Sequence, residues 1–220
     1  MGLLLLLLGP TIMIFMGLQV FSSVPLTFVL FYGWLFLVPV VNMRFVQKNT
    51  WGETAKALGL SGNRRNSYLG IASGLIFGLS IILSGYFFHT SLFDLANLGD
   101  LLSRWGFSGN LVTGLILVLI GINPLLEEIY WRGYLYQKLE GRWGSRVTIL
   151  LTSLFYSLYH LLSVIPLFNW PYNLLAMLPV FLAGVFWGYM RMVSRTLVGS
   201  IFSHILGDCG IIGVYLLFIK

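Results

Sequence analysis

NLVTGLILVLIGINPLLEE, residues 110–128, decides the fold. It is aliphatic almost throughout, and its only charges are the two glutamates at its end. A helix needs about 20 mostly apolar residues to cross the hydrocarbon of a bilayer, and this run is of that length. Working outward, further apolar runs occupy roughly 2–22, 25–43, 68–89, 147–165, 173–190 and 196–219. With 110–128 they predict an all-α fold: a polytopic transmembrane helical bundle of about seven helices. The composition agrees. The 220 residues are 58% hydrophobic and 9% charged, against about 45–50% and about 25% in a typical soluble domain. Mean hydropathy is +0.89. A disordered tail, a secreted disulfide scaffold and a water-soluble globule are excluded, because there is too little polar surface to cover a soluble core.

The formal charge of +6 bears first on topology, since basic residues stay on the cytoplasmic side of a membrane. Seven crossings send alternate loops to opposite sides. All the lysines and arginines then fall on one side except Arg104 and Lys220. The N-terminus and the loops 44–67, 129–146 and 191–195 are therefore expected in the cytoplasm. The first apolar run lacks a basic n-region and a clear small-residue cleavage site, so it reads as a retained helix and not a signal peptide. Leu6 stands where myristoylation needs Ser or Thr. Residues 50–60 predict a short interfacial helix facing anionic lipid. Leu92, Leu95, Leu98 and Leu102 share one helix face, which predicts a second amphipathic helix on the outer side. Cys209 is the only cysteine, so an internal disulfide and a cysteine metal cluster are excluded. It reads as a packing residue. No aromatic-interleaved basic stretch points to nucleic acid.

Ionisable residues inside membrane helices are costly and mark functional sites by default. Five acids or histidines fall inside apolar runs: Glu127, Glu128, His160, His204 and Asp208. Glu128 and Arg132 are four apart and can pair on one helix face. Glu127 points about 100° away and is left for other work. Tyr156 and His160 share a face, as do His204 and Asp208. If helix four continues to Lys138, Glu128 lies about 15 Å inside that end. His160 lies about 21 Å in from Arg146, and His204 and Asp208 about 13 and 20 Å in from Arg195. These depths overlap, so polar groups from three helices can meet at one level, with Arg132 in the membrane beside them. The bland alternative is that the glutamates mark the cytoplasmic end of helix four and each histidine is a hydrogen-bonded packing residue.

Glu127-Glu128-x-x-x-Arg132, then an aromatic-x-x-x-His160, then His204-x-x-x-Asp208 resembles the three-motif pattern of the CAAX prenyl protease and bacteriocin-processing (CPBP, or Abi) intramembrane proteases. The resemblance covers 111–215, an expected protease core in helices four to seven. Residues 1–110 then hold helices one to three and the basic loop. Two positions depart from the family pattern: Tyr156 replaces Phe, and Asp208 replaces the commoner Asn. An ionised Asp cannot donate to an oxyanion, so Asp208 would be protonated, orient His204 or bind a metal. The resemblance implies a hydrolase that cleaves a membrane-associated peptide, prenylated or leader-type. Glu127, assisted by His160, would activate water. His204 with Asp208 would stabilise the tetrahedral intermediate, while Glu128 and Arg132 hold the helix. Glu127, His160 and His204 are also competent zinc ligands, so zinc is a possible cofactor and a metalloprotease-like reading stays open. The implied partners are a peptide or lipidated-protein substrate and membrane lipid, with no nucleic acid, and the implied location is a prokaryotic plasma membrane.

Other intramembrane proteases fit less well. HExxH is absent, Asp208 lacks the preceding Gly-x-Gly, and the Gly-x-Ser-Gly string at 59–62 lies in the basic loop, where a turn is expected. A non-catalytic immunity scaffold or a proton-coupled transporter is the alternative, since buried acids and histidines also suit transport.

Overall fold

The computed structural model describes residues 2–60, 62 and 64–220. Met1, Ser61 and Asn63 lie outside the described residues, and so does part of the turn expected at 59–62. Among the described residues there are helices and no strands. Six helical stretches among these residues are long and apolar enough to cross a membrane: Leu3–Val20, Val24–Val46, Arg64–Leu92, Leu111–Leu167, Tyr172–Ser194 and Val198–Ile219. The sequence predicted seven. The difference lies in Leu111–Leu167, which joins the expected fourth and fifth crossings in one run of 57 residues. A straight helix of that length would measure about 86 Å, nearly three times the hydrocarbon thickness of about 30 Å. The run is interrupted at Gly144, whose φ of 72° and ψ of 162° are not helical. It therefore divides into two limbs there.

The first of these limbs is itself composite. Helix α6 (Leu111–Gly121) gives way to α7 (Asn123–Glu128), where Pro124 in the first turn cannot continue the preceding hydrogen-bond ladder. A π-helical segment, Ile129–Leu135, follows, and then α8 (Tyr136–Leu167). The two glutamates thus lie within a continuing helical path and not at its end. The main apolar core forms around this segment, with Tyr130, Trp131 and Leu135 packed against Leu6, Leu35, Tyr156 and Tyr159. Helices α1 (Leu3–Ile14) and α2 (Val24–Val40) are tied to it by hydrogen bonds: Tyr130 Oη donates to the Leu6 carbonyl at 2.6 Å, and Trp34 Nε1 donates to Tyr130 Oη at 2.9 Å. Many large apolar side chains point outward, among them Leu79, Phe87, Leu117 and Leu150. This surface suits lipid and not water.

Helix α4 (Arg64–Leu92) packs along α11 (Val198–Val214) through small residues. A Cβ added at Gly78 would lie 2.6 Å from the Leu206 carbonyl oxygen, and one at Gly210 would lie 2.7 Å from Gly78 Cα. Gly74 meets Ser203 and Leu206 in the same way, at 2.8 Å. The two backbones touch, as small-xxx-small packing allows in membranes. Helix α10 (Met177–Ser194) packs on α8.

Both predicted short helices are present, although Leu92 ends α4 and does not join the second one. Helix α3 (Trp51–Leu58) begins with a capping box: Glu53 N donates to Thr50 Oγ1 at 3.2 Å, and Thr50 N donates to Glu53 Oε2 at 2.7 Å. Helix α5 (Leu95–Arg104) is capped by Asp94 and buries Leu98. The remaining short helix is α9 (Tyr172–Leu175).

Candidate active site

Three elements converge on His204. Helix α7 supplies Glu127 and Glu128, the π-helical segment supplies Arg132, and α11 supplies His204 and Asp208. Glu128 Oε1 accepts from Arg132 Nη1 at 3.1 Å, the pairing expected from their spacing. The same oxygen stands 3.3 Å from His204 Nδ1. Glu127 Oε2 stands 3.5 Å from the other ring nitrogen, Nε2, and Asp208 Oδ1 stands 3.7 Å from it. The 100° between the two glutamates places one carboxyl at each nitrogen of a single imidazole. Glu127, Glu128, Arg132 and His204 are each 2% exposed or less, so each needs compensation from the others.

The surroundings fix these groups. Arg132 Nη2 donates to the Gly184 carbonyl at 3.2 Å. Its guanidinium lies 4.3 Å from the Tyr156 ring centre and 5.3 Å from that of Trp187. Trp187 stacks on His204 with ring centres 4.1 Å apart and donates its indole N–H to Ser203 Oγ at 3.0 Å. Tyr156 Oη is 3.4 Å from His204 Nε2. Asn123 Nδ2 donates to Asp208 Oδ2 at 3.1 Å, so Asp208 is held between an amide and the imidazole. An ionised carboxylate only accepts, so Glu128 facing Nδ1 favours the proton on that nitrogen.

His160 stands one ring away. Its Nδ1 is 2.9 Å from the Tyr156 carbonyl oxygen, which can only accept, so that nitrogen carries the proton and Nε2 presents a lone pair. Its ring packs on Tyr159 and Tyr156, with centres 4.4 and 4.6 Å apart. The immediate histidine neighbour of Glu127 is therefore His204. Four buried polar atoms here make no hydrogen bond among the described residues: Glu127 Oε2, Glu128 Oε2, Arg132 Nε and Tyr159 Oη. Buried polar atoms are rarely left so. The Tyr159 hydroxyl and the Glu127 carboxyl face each other, and a water or substrate at Glu127 would meet both.

The donor set can be tested against a metal. Among the described residues no three His, Cys, Asp or Glu side chains are grouped to hold an ion. The trio Glu127, His160 and His204 does not gather as a ligand set, since His160 is turned toward the tyrosines.

Sequence reasoning did not find Asn123, Trp187 or Gly184. Asn123 carried a usable signal, because it lies four residues before Glu127 and so on the same helix face. Trp187 and Gly184 carried none, being ordinary residues of an apolar helix.

Residues 108–210 match the model of a protein family described as type II CAAX prenyl endopeptidase Rce1-like. The match runs from just before α6 into α11, so it contains Glu127, Glu128, Arg132, His160, His204 and Asp208. No curated protein and no solved structure matches the chain.

Proposed function

We propose that the chain, whose 108–210 core matches the Rce1-like CAAX prenyl endopeptidase family, is a membrane protease of that CPBP type in which Glu127 is the base that activates water for peptide hydrolysis. One observation carries the assignment: Glu127 Oε2 is buried, makes no hydrogen bond, and lies 3.5 Å from His204 Nε2. A water hydrogen-bonded to both atoms fits that separation, since each contact needs about 2.8 Å.

Glu127 takes a proton from this water as its oxygen attacks the peptide carbonyl carbon. The C–O bond forms and the carbonyl becomes an oxyanion. His204, protonated and stacked on Trp187, faces the developing negative charge. Asp208, anchored by Asn123, holds the imidazole in place, the orienting role among those open to it. Glu127 then returns the proton to the leaving nitrogen as the C–N bond breaks, releasing a carboxylate and an amine. His160, with its free Nε2, accepts or relays a proton from the substrate side. Glu128 and Arg132 keep the glutamate helix in register.

The substrate in this reading is a prenylated or leader-type peptide that reaches the site from the membrane. In this reading the membrane is a prokaryotic plasma membrane, and basic loops on its cytoplasmic side put the N-terminus there as well. The test uses the protein in nanodiscs with an internally quenched farnesylated peptide ending in a CAAX sequence, both products being identified by mass spectrometry. Glu127→Gln is expected to cut the rate by about 10²–10⁴-fold, the usual worth of a general base. Unchanged cleavage by Glu127→Gln would refute the mechanism. Chelator treatment, with metal analysis of the same sample, is expected to leave the rate unchanged. Loss on chelation and recovery with zinc would replace this mechanism with a metal-dependent one.

A further inference from the structure

Arg191 is an arginine whose hydrogen bonds among the described residues all go to main chain. A guanidinium in a protein usually meets a carboxylate, a phosphate or water. Arg191 is 7% exposed and donates to three backbone carbonyls instead. Its Nε reaches the Arg132 oxygen at 3.1 Å, its Nη2 reaches Ala57 at 3.1 Å, and its Nη1 reaches Arg195. These carbonyls belong to three different elements: the π-helical segment behind the glutamates, helix α3, and the end of α10. Two further contacts join the same elements. Leu197 N donates to the Gly59 carbonyl at 2.7 Å, and Leu58 packs at Gly133, where an added Cβ would lie 3.0 Å from Leu58 Cδ2.

Arg132 is thereby gripped twice. Its side chain is held by Glu128 and Gly184, and its main chain by Arg191. The main-chain grip matters for chemistry because Arg132 lies one helical turn beyond Glu128. A shift of its backbone moves both glutamates relative to His204, which belongs to another helix. Sites of this kind tolerate about 0.5 Å of displacement, and about 1 Å of misplacement can cost about 100-fold in rate.

We infer that Arg191 is a positioning residue: by capping the Arg132, Ala57 and Arg195 carbonyls it sets the register of Glu127 and Glu128 against His204 and makes that register depend on the docking of helix α3. The inference rests on the catalytic reading of Glu127 given above. It gives the short helix before α4, which lies outside the family match, a part in catalysis that its interfacial character alone does not.

The test measures kcat and KM separately in nanodiscs with the same quenched farnesylated peptide. Arg191→Met is expected to lower kcat by about 100-fold, with KM little changed. Arg191→Lys can reach one or two of the three carbonyls and is expected to fall between Met and the wild type. Gly59→Ala attacks the same junction from the α3 side. Its φ is +80°, and a Cβ there would run into the Arg191 guanidinium, so kcat should fall while Arg191 itself is retained. Arg142→Gln removes an exposed charge away from this junction, and its kcat should hold. Wild-type kcat in Arg191→Met overturns the inference, as does an equal loss in Arg142→Gln. If Arg191→Met does not fold, the Lys and Gly59→Ala variants decide, and unchanged kcat in both overturns it. Glu127→Gln is run alongside. Full activity there overturns the proposed mechanism whatever Arg191 does, whereas full activity in Arg191→Met overturns only the positioning role.

Discussion

Replacing Arg132 with Met removes one cation that four groups share. Glu128 loses a 3.1 Å ion pair while 0% exposed. The Gly184 carbonyl loses its 3.2 Å donor, and the rings of Tyr156 and Trp187 lose the guanidinium beside them. An orphaned buried polar group costs about 1–3 kcal/mol, and a desolvated cation–π contact about 2 kcal/mol. These overlap and do not add. The controlling figure is that for breaking a buried ion pair from one side, about 3–5 kcal/mol. An ordinary hydrogen bond between membrane helices averages about 0.6 kcal/mol, so the effect should stand well clear of a routine polar deletion. Removing both charges is a different matter, since a buried pair replaced as a unit is often nearly neutral. The Glu128→Gln/Arg132→Met double variant should therefore recover most of the loss. Equilibrium unfolding in mixed detergent micelles, followed by tryptophan fluorescence, measures all three proteins. A loss under about 1 kcal/mol in Arg132→Met would contradict the buried-pair magnitude. A double variant no more stable than the single would contradict the pairing itself.

Three further outcomes are expected. Gly78→Leu forces a side chain where a Cβ alone would sit 2.6 Å from the Leu206 carbonyl; overpacking of about 1–3 kcal/mol should push α4 from α11 and lower activity, read by unfolding and cleavage assays on one sample. Asp208→Asn keeps a polar group beside both Asn123 and His204 and should retain cleavage in the peptide assay, while Asp208→Ala should lose much of it; equal rates would remove Asp208 from the site. At helix α3 the Thr50 backbone N–H, and then its hydroxyl, hold the Glu53 carboxyl below the usual carboxylate range. A depressed value in the folded state means the stabilisation is present above about pH 4.3, the ordinary glutamate value, and is lost as pH falls through the lower folded one. Hydrogen-exchange protection of α3, corrected for intrinsic rates, should fall in that acid range. Glu53→Gln, which still caps but does not titrate, should show no such fall.

The membrane runs and the three motifs were legible because each rests on local spacing. Glu128 with Arg132 and His204 with Asp208 are helix-face pairs, and four-residue spacing is enough to see them. A break within 129–146 was expected, but the helical continuation past Glu128 as far as Gly144 was less visible, because that stretch carries the charges of a connector. Arg191 was read as a loop charge marking the cytoplasmic side. It is instead in α10 and buried, and main-chain carbonyls leave no signature in a sequence. The bond from Tyr130 to the Leu6 carbonyl was hidden for the same reason. Gly70, Gly74 and Gly78 read only as part of an apolar run, since a close approach becomes visible only when the second helix is in place. Trp187 against His204 belongs to this class too: the contact depends on how α10 and α11 lie together.

The glycine seam between α4 and α11 bears on how the molecule can be taken apart. The helix carrying His204 has its motif inside 108–210, yet its back is fitted to a helix that lies before that stretch. A fragment beginning at residue 108 would leave Gly199, Ser203 and Gly210 facing lipid across a groove shaped for Gly70, Gly74 and Gly78. Transplanting the motif-bearing half onto another set of N-terminal helices should fail unless the recipient brings its own glycines at the same four-residue interval. Modularity here is set by where backbones touch, and that boundary falls earlier in the chain than the boundary drawn by the chemistry.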